Sequence, residues 1–204
     1  MHEASWSRAD AVACLESAER RATQDPDLLW RRVGLKPGDT VVDVGSGTGY
    51  YAFPAAAVVG TDGRVYAVDV SRELVKLVRQ RATERGLRNV ISVLSTRSRI
   101  PIEDGTADVA ILANVLHGIP PKTVDETVRV LRQGGHLVNV DWKKEPTPGG
   151  PPVEHRLSPA EARAAFTARG LRAVESFELG PFHYVQVFER PRPAQHPGRL
   201  ISAE

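Results

Sequence analysis

The 204-residue chain contains one cysteine, Cys14, and no Cys-x-x-Cys pair. A single cysteine excludes an internal disulfide framework, and the lack of a cysteine/histidine cluster leaves no ligand set for structural zinc. The chain also lacks a run of 18 apolar residues, and its first ten residues have no apolar centre. We therefore expect neither a secretory signal nor a membrane span, and we predict a cytoplasmic protein without a bound metal.

Neither sign of charge dominates the composition. Lysine and arginine number 27 and aspartate and glutamate 25, so the formal net charge is +2. Proteins dedicated to binding nucleic acid neutralise phosphates with a clear excess of basic residues, and this balance argues against that class. We expect neither nucleic acid nor a membrane as a partner.

Strand and helix signals alternate along the chain. Short β-branched or apolar runs predict strands, and apolar residues at helical spacing predict the helices between them. The predicted strands span residues 40–44, 64–69, 90–94, 107–112, 136–142, 171–179 and 182–189, and the predicted helices span 8–23, 26–33, 50–59, 71–86, 121–133 and 158–170. This order predicts an α/β fold, a doubly wound, Rossmann-like, mostly parallel seven-stranded sheet with helices on both faces. The last two strands form a C-terminal hairpin, which makes one strand antiparallel.

A glycine-rich loop follows the first predicted strand. Gly45, Gly47 and Gly49 allow the backbone to approach a ligand closely and to turn into the next helix. Asp69 ends the second strand twenty residues after Gly49, where a carboxylate can accept both hydroxyls of a ribose. The combination predicts a nucleotide site at the carboxyl end of the sheet. The alternative is that the glycines serve only as turn residues and that Asp69 caps the following helix.

The identity of the nucleotide depends on two residues near this loop. Tyr50 occupies the position of the third glycine in a dinucleotide fingerprint, so the loop fits NAD poorly. Asp43 stands two residues before Gly45, where its charge would repel a pyrophosphate but suits a cationic ammonium and sulfonium. Electrostatics therefore favours S-adenosylmethionine.

Four motifs, VVDVGSGTGYYAFPAA, VYAVDVS, IPIEDGTADVAILANVLHGI and LRQGGHLVNVDWKKEP, occur in this order between Lys36 and Glu189. On these motifs the chain resembles the class I S-adenosylmethionine-dependent methyltransferases. It looks most like their small, single-domain "type 11" branch, akin to ubiquinone/menaquinone-biosynthesis-type enzymes. The resemblance implies direct in-line transfer of a methyl group from S-adenosylmethionine to a small-molecule acceptor, with S-adenosylhomocysteine as the product. We expect an N-terminal helical cap (1–35), a methyltransferase domain (36–190) and a flexible tail (191–204).

The resemblance also implies which residues hold the methionine part of the cofactor. Gly45, Gly47 and Gly49 would lie under it, and Asp43 would stand beside it. Asn114, just past the fourth strand, would face the methionine moiety near the reacting methyl group.

For the nucleoside part, the resemblance implies that Asp69 holds the ribose and that Val70 flanks the adenine. Many relatives carry Gly-Asp after the third strand, where this chain has Ser95-Thr96. The Thr96 hydroxyl can accept a hydrogen bond from the adenine amino group, although more weakly than a carboxylate.

Two further residues are candidates for the chemistry. His117 follows the fourth strand and is either a base or substrate contact, or a structural histidine that caps the loop. Asp141 ends the fifth strand and either binds substrate or serves as a cap or a partner for Lys143. The segment 145–152 is rich in proline and glycine and predicts a lid or a stiff connector, and His183 is expected on the sheet surface.

Two other function classes remain open from the sequence. One is a binding module that keeps the S-adenosylmethionine or S-adenosylhomocysteine pocket without turnover, and the other is a nicotinamide-dependent oxidoreductase. Ligand titration distinguishes all three, because a methyltransferase and a binding module both bind S-adenosylhomocysteine and only the former turns over.

Overall fold

The computed structural model describes residues 18–193, so Cys14, most of the first predicted helix and residues 194–204 lie outside the described part. Its centre is a seven-stranded sheet with the order β3-β2-β1-β4-β5-β7-β6. The strands are β1 (Thr40–Val44), β2 (Arg64–Asp69), β3 (Val90–Leu94), β4 (Ala107–Ala113), β5 (Leu131–Trp142), β6 (Arg172–Leu179) and β7 (His183–Glu189).

Strand directions follow the predicted pattern. β1 pairs in parallel with β2 and β4, and parallel pairing continues outward to β3 and β5. β7 is antiparallel to both β5 and β6, because a short turn joins β6 to β7. The prediction of a doubly wound, mostly parallel sheet with one antiparallel strand is confirmed. The strand order reverses between β1 and β4, and ligands bind outside the carboxyl ends of strands at such a point.

Helices cover both faces of the sheet. They are α1 (Ala18–Thr23), α2 (Pro26–Val33), α3 (Ala52–Val59), α4 (Arg72–Glu84), α5 (Pro121–Val130) and α6 (Pro159–Thr167). Helices α2 to α4 pack against one core layer, and α5 and α6 pack against the other. Within residues 18–193, no helix has the length and apolar character needed to cross a bilayer.

The start of β5 differs from the prediction. Helix α5 ends at Val130, and the chain enters β5 directly at Leu131, where a helix to residue 133 was predicted. Leu131 is fully buried and pairs with Ala107, so burial of this side chain outweighs the helical pattern of the preceding residues.

Helix α2 anchors the N-terminal segment beside the ligand edge of the sheet. The Asp25 carboxylate caps the helix by accepting from the amides of Asp27 and Leu28, and Gly34 ends it in the left-handed conformation. Trp30 is fully buried, and its indole nitrogen donates to the Tyr51 carbonyl at 3.1 Å. The segment that follows the glycine loop is thereby fixed to α2.

Candidate functional site

The glycine loop is tied to the strand beside it. The amides of Gly45 and Ser46 both donate to the Val68 carbonyl on β2, at 2.8 and 3.0 Å. Gly45, Gly47 and Gly49 all have positive φ, at 75°, 56° and 88°, which L-residues with side chains rarely adopt. A Cβ on Gly45 would stand 2.7 Å from Cγ1 of Val115. The loop therefore needs glycine both for its conformation and for its close packing.

A cavity of about 510 Å³ opens above this loop. Helix α1 and the residue that follows it form one wall, through Arg20, Thr23 and Gln24, and β4 contributes Asn114 and Val115 just beyond its end. The opposite wall is formed by Trp142, Phe182 and residues 148–150. Tyr50 and Tyr51 complete the lining, so the cavity joins the predicted cofactor loop to a largely aromatic space.

Asp43 is the acidic residue of the cavity. Its side chain is buried, and Oδ2 finds no hydrogen-bond partner among the described residues. Burial raises the pKa of this carboxyl to about 7, the negative charge of Asp69 adds to the rise, and Arg20 opposes it. An unpaired acid with this pKa in a cavity wall is a ready partner for a cationic group.

Asp69 and Val70 lie at the end of β2, as predicted. The Asp69 carboxylate accepts the Gly47 amide at 3.0 Å through Oδ2 and the Ser71 amide at 2.9 Å through Oδ1. An ionised carboxylate has about four acceptor positions, so two backbone bonds leave capacity for hydroxyl donors. Val70 is 53% exposed, which leaves its apolar face available to a ring.

Asn114 adopts a strained backbone conformation at the cavity. Its φ is 58°, and among the non-glycine residues of the described segment it alone has positive φ. The side-chain nitrogen donates to Oε1 of Gln24 at 2.8 Å, while the buried Oδ1 has no partner in the described part of the chain. Gln24 also accepts from the Tyr51 hydroxyl at 3.2 Å. Gln24 is a site residue that the sequence did not indicate, because it comes from 90 residues upstream.

Thr96 is exposed and engaged in a local turn. Its hydroxyl accepts from the Ser98 amide at 3.3 Å, and its own amide donates to the Arg99 carbonyl at 3.0 Å. The hydroxyl thus stands at the end of β3, on the side of β2 that carries Val70, without lining the cavity.

The segment after β5 is held by one buried guanidinium. Arg156 donates to the carbonyls of Lys143, Glu145, Gly149 and Pro151, at distances between 2.8 and 3.0 Å. The same guanidinium lies 5.1 Å from the ring centroid of Trp142. These contacts favour the stiff connector among the two predicted roles, and they fix one wall of the cavity.

The structure brings the two candidate residues for the chemistry together. His117 lies in a single 3-10 turn, Leu116–Gly118, and its Nδ1 is 3.5 Å from Oδ1 of Asp141. The Asp141 side chain is completely buried, whereas that of His117 is 20% exposed. Neither residue lines the cavity, whose wall on this side ends at Val115. Asp141 therefore contacts His117 and is not positioned to touch an acceptor.

His183 is not on the sheet surface, as the sequence predicted, but fully buried. Its ring packs on Trp142 with 4.1 Å between centroids. Burial lowers the pKa of His183 to about 3, and the neighbouring cations Arg20, Arg156 and Lys143 lower it further. This neutral histidine supports Trp142 from behind the cavity wall.

Comparisons with known proteins agree with this geometry. A family model for the methyltransferase domain (type 11) matches residues 42–139. A crystal structure of an S-adenosylmethionine-dependent methyltransferase from Aquifex aeolicus is similar, with a TM-score of 0.83, 32% identity, and coverage of 88% of this chain and 96% of that chain. The chain belongs to the S-adenosylmethionine-dependent methyltransferases. The resemblance stated from the motifs is thereby confirmed, and S-adenosylmethionine is the cofactor of the family.

Two curated relatives of this methyltransferase match over part of their length. An arsenite methyltransferase from Halobacterium salinarum is 37% identical over 109 residues, which are 52% of this chain and 28% of the relative. A ubiquinone/menaquinone biosynthesis C-methyltransferase from Ectopseudomonas mendocina is 31% identical over 131 residues, 60% of this chain and 50% of the relative. The methyltransferase chain thus spans half or less of the length of these two proteins.

The residues at the carboxyl ends of the parallel strands fit S-adenosylmethionine, the cofactor of the family. The glycine loop leaves open space for a ligand, Oδ2 of Asp43 is buried without a hydrogen-bond partner among the described residues, and Val70 offers an exposed apolar surface. Among residues 18–193, no three His, Cys, Asp or Glu side chains gather into a group that could hold a metal ion.

Proposed function

We propose that this methyltransferase transfers a methyl group to a small, largely apolar organic acceptor by direct in-line displacement. The observation that carries the proposal is the 510 Å³ cavity, which has the glycine loop as its floor and Trp142, Phe182 and Tyr50 in its walls. S-adenosylmethionine supplies a methyl group on a sulfonium, which needs no further activation by the protein. The chain's task is to align the acceptor and exclude water.

The proposed cofactor contacts follow the geometry. Gly45, Gly47 and Gly49 lie under the methionine part, Asp43 faces its ammonium, and Asn114 presents the unpaired Oδ1. At the other end, Asp69 accepts from the ribose hydroxyls, Val70 flanks the adenine, and Thr96 accepts from its amino group.

The acceptor is proposed to lie against the aromatic wall. Trp142 is held by the buried His183 ring and the Arg156 guanidinium, so the part of its ring that lines the cavity is rigid. Rigid aromatic faces recognise flat apolar ligands through large contact area at little entropic cost. A ring-shaped organic molecule fits such a wall.

We assign proton removal, where the acceptor carries a proton, to His117. Its imidazole is partly exposed and belongs to a residue only two positions beyond Val115 of the cavity wall, so an acceptor that extends past Val115 reaches it. Nδ1 lies 3.5 Å from Oδ1 of Asp141, so this carboxylate favours a proton on Nδ1 and leaves Nε2 as the basic nitrogen, in the way a carboxylate fixes a histidine tautomer. The proton of the acceptor passes to Nε2, and the buried Asp141 stabilises the imidazolium that forms. Asp141 is thus a positioning residue.

The proposal is tested by a screen for methyl incorporation from labelled S-adenosylmethionine. The panel contains hydroquinones and phenols as the expected class, with arsenite as a separate arm because a relative carries that name. Turnover of a ring-shaped acceptor supports the proposal. Turnover of arsenite alone contradicts the acceptor class, and binding of S-adenosylhomocysteine with no turnover across the panel contradicts transfer to this class.

Asp69→Ala is expected to weaken S-adenosylhomocysteine binding ~10- to 150-fold, equivalent to ~1.5–3 kcal/mol, because charge-assisted hydrogen bonds to the ribose are lost. Calorimetry measures the affinity. Asp62→Ala, an exposed carboxylate in the turn before β2, is the control and should bind as the parent does. Parental affinity in Asp69→Ala would remove this residue from the site.

Cofactor binding is expected to strengthen as the pH rises through 7. The Asp43 carboxyl has a pKa of about 7 in the ligand-free protein, and the ligand ammonium favours its ionised form. Binding at or below pH 7 should release a proton, and S-adenosylhomocysteine affinity should fall ~10-fold between pH 8 and pH 6. Calorimetry in buffers of different ionisation enthalpy counts the proton.

Asp43→Asn separates this effect from other titrations. The variant should bind S-adenosylhomocysteine weakly at both pH values and lose the pH dependence, whereas an unchanged dependence of the affinity on pH would show that another group titrates.

Asp43→Asn should also have a higher free energy of unfolding than the parent at pH 8. In the folded parent the Asp43 carboxyl has a pKa of about 7, against an ordinary pKa of 3.8, so the free energy of unfolding falls as the pH rises between these values. The amide removes this cost, worth roughly 2–4 kcal/mol.

A further inference from the structure

A group of polar side chains lies buried between β5 and β7, behind the His117–Asp141 pair. Asn139 stands opposite Gln186 in the strand register, and Asp141 stands opposite Tyr184. Alternate residues of a strand share a face, so these four side chains lie on the face that Leu137 and Phe188 bury against α5 and α6. All four are at most 4% exposed.

Two hydrogen-bond donors of this group are paired with backbone carbonyls that lie just before α6 and at its start. The Tyr184 hydroxyl donates to the Leu157 carbonyl at 3.1 Å, and the Gln186 amide nitrogen donates to the Pro159 carbonyl at 2.8 Å. Burial and the charge of Asp141 raise the pKa of Tyr184, so this hydroxyl remains a neutral donor. The Tyr184 hydroxyl hydrogen and one Gln186 amide hydrogen are therefore already used by backbone carbonyls.

The inward-facing atoms are left without partners. Both amide atoms of Asn139, Oδ2 of Asp141 and Oε1 of Gln186 are buried and make no well-formed hydrogen bond to any described residue. Asn139 is close enough to Tyr184 to offset part of the rise in the pKa of that hydroxyl, but no good bond joins them. Buried polar atoms in proteins are paired with protein or with ordered water, and four unpaired atoms in one place are exceptional.

Three of these four atoms match the bonding capacity of one water. Asn139 Nδ2 is a donor, and Asp141 Oδ2 and Gln186 Oε1 are acceptors, so a single water can accept one bond and donate two. Buried waters typically make about three such bonds. We propose that Asn139, Asp141 and Gln186 hold an internal water that donates to Oδ2 of Asp141 and so supports the positioning of His117. This inference rests on the proposed function, in which His117 takes the proton of the acceptor.

Few charged or titratable side chains surround this site. Asp141 faces His117 from β5, Tyr184 faces Asp141 from β7, and Glu161 acts on Tyr184 from α6, where it is paired with Lys144. A hydrogen bond from water stabilises the negative charge of Asp141, and that charge in turn stabilises the imidazolium. Removal of the water should therefore strengthen the attraction between the Asp141 charge and the imidazolium, and should leave His117 less well oriented toward the acceptor.

The direct test is a high-resolution crystal structure of the full chain. It should show one water peak within hydrogen-bond distance of Asn139 Nδ2, Asp141 Oδ2 and Gln186 Oε1. Absence of the peak, or direct closure of these side chains on one another, would overturn the proposal.

The functional test is Asn139→Leu, which keeps the side-chain shape but removes both polar atoms. The expected result is a loss of the water peak, a ~10-fold lower kcat, and a pH of half-maximal rate moved about one unit toward alkaline pH. The KM for the cofactor should not change, whereas a general loosening of the fold would raise it. Asp141→Asn combined with Asn139→Leu should be no slower than Asp141→Asn alone, because both act through one chain of contacts.

Thr127→Val is the control, since it removes a hydrogen bond of an equally buried side chain on α5 and should leave the pH profile in place. Should Asn139→Leu prove unstable, Gln186→Met removes a different partner of the same water and should show a smaller shift of the same sign. If Asn139→Leu and Gln186→Met show parental kinetics while His117→Asn is inactive, the role of the water is overturned and the proposed function stands. Parental kinetics in all of them would overturn the role of His117 as well.

Discussion

Gly47→Val is expected to abolish S-adenosylhomocysteine binding, with a loss of affinity greater than ~100-fold, while the fold is kept. Gly47 has φ of 56°, and its amide donates to Asp69 at 3.0 Å. A β-branched residue is strained in this region and would turn the loop away from it, which breaks the bond to Asp69. The added side chain also enters the cavity where the methionine part is proposed to lie.

Calorimetry measures the affinity, and circular dichroism with a thermal melt verifies the fold. Gly86→Val is the matched control, because Gly86 has φ of 65° at the end of α4 and a Cβ there would meet no neighbour within 4 Å. The control carries similar backbone strain away from the site, so its affinity should stay within about threefold of the parent. Binding by folded Gly47→Val at the level of this control would show that the loop does not cradle the ligand.

The bounds of the central strands were predictable because local and tertiary signals agree there. β1, β2 and β3 begin and end where their β-branched runs meet turn residues, as in Thr40–Val44 between Asp39 and Gly45. The start of β5 was not predictable, since Leu131 continues the helical spacing of α5 and only its pairing with Ala107 makes it a strand residue. Tertiary pairing overrides local pattern at such a boundary.

The site was predictable where its residues follow strand ends. Asp43, Asp69 and Asn114 each lie at or beside the carboxyl end of a parallel strand, and topology alone brings such positions together. Gln24 and Phe182 come from a helix end and a hairpin tip, which reach the cavity through packing that no local pattern encodes. His183 illustrates the same limit, since its burial comes from Trp142 on the neighbouring strand.

The contact between His117 and Asp141 changes how these two residues must be tested. From the sequence, both were candidates to meet an acceptor. In the structure, Asp141 is fully buried, accepts the Trp142 amide at 2.9 Å and lies beside His117, so a substitution of Asp141 acts on the reaction through the imidazole. Substitutions of His117 should therefore have the larger effect on turnover, and substitutions of Asp141 should reproduce part of it.

His117→Asn is expected to lower turnover by ~100-fold or more, while S-adenosylhomocysteine affinity stays within a few-fold of the parent. An amide retains a hydrogen-bonding side chain next to Asp141 but cannot take a proton from the acceptor. The rate of the parent should fall at low pH as the imidazole becomes protonated, and the variant should lose this limb of its pH profile. Steady-state kinetics with the acceptor identified in the screen measures both effects.

His136→Asn is the control, since His136 lies in the middle of the strand that ends with Asp141 and Trp142, at the position where β5 pairs with Val109. Its turnover should equal that of the parent. If the acceptor arrives already deprotonated, His117→Asn should instead raise the KM for the acceptor and leave kcat in place, which assigns the residue to acceptor binding. Equal losses of cofactor affinity and thermal stability would show that His117 serves the fold, because the imidazole and the buried Asp141 would then matter to packing and not to the transferred proton.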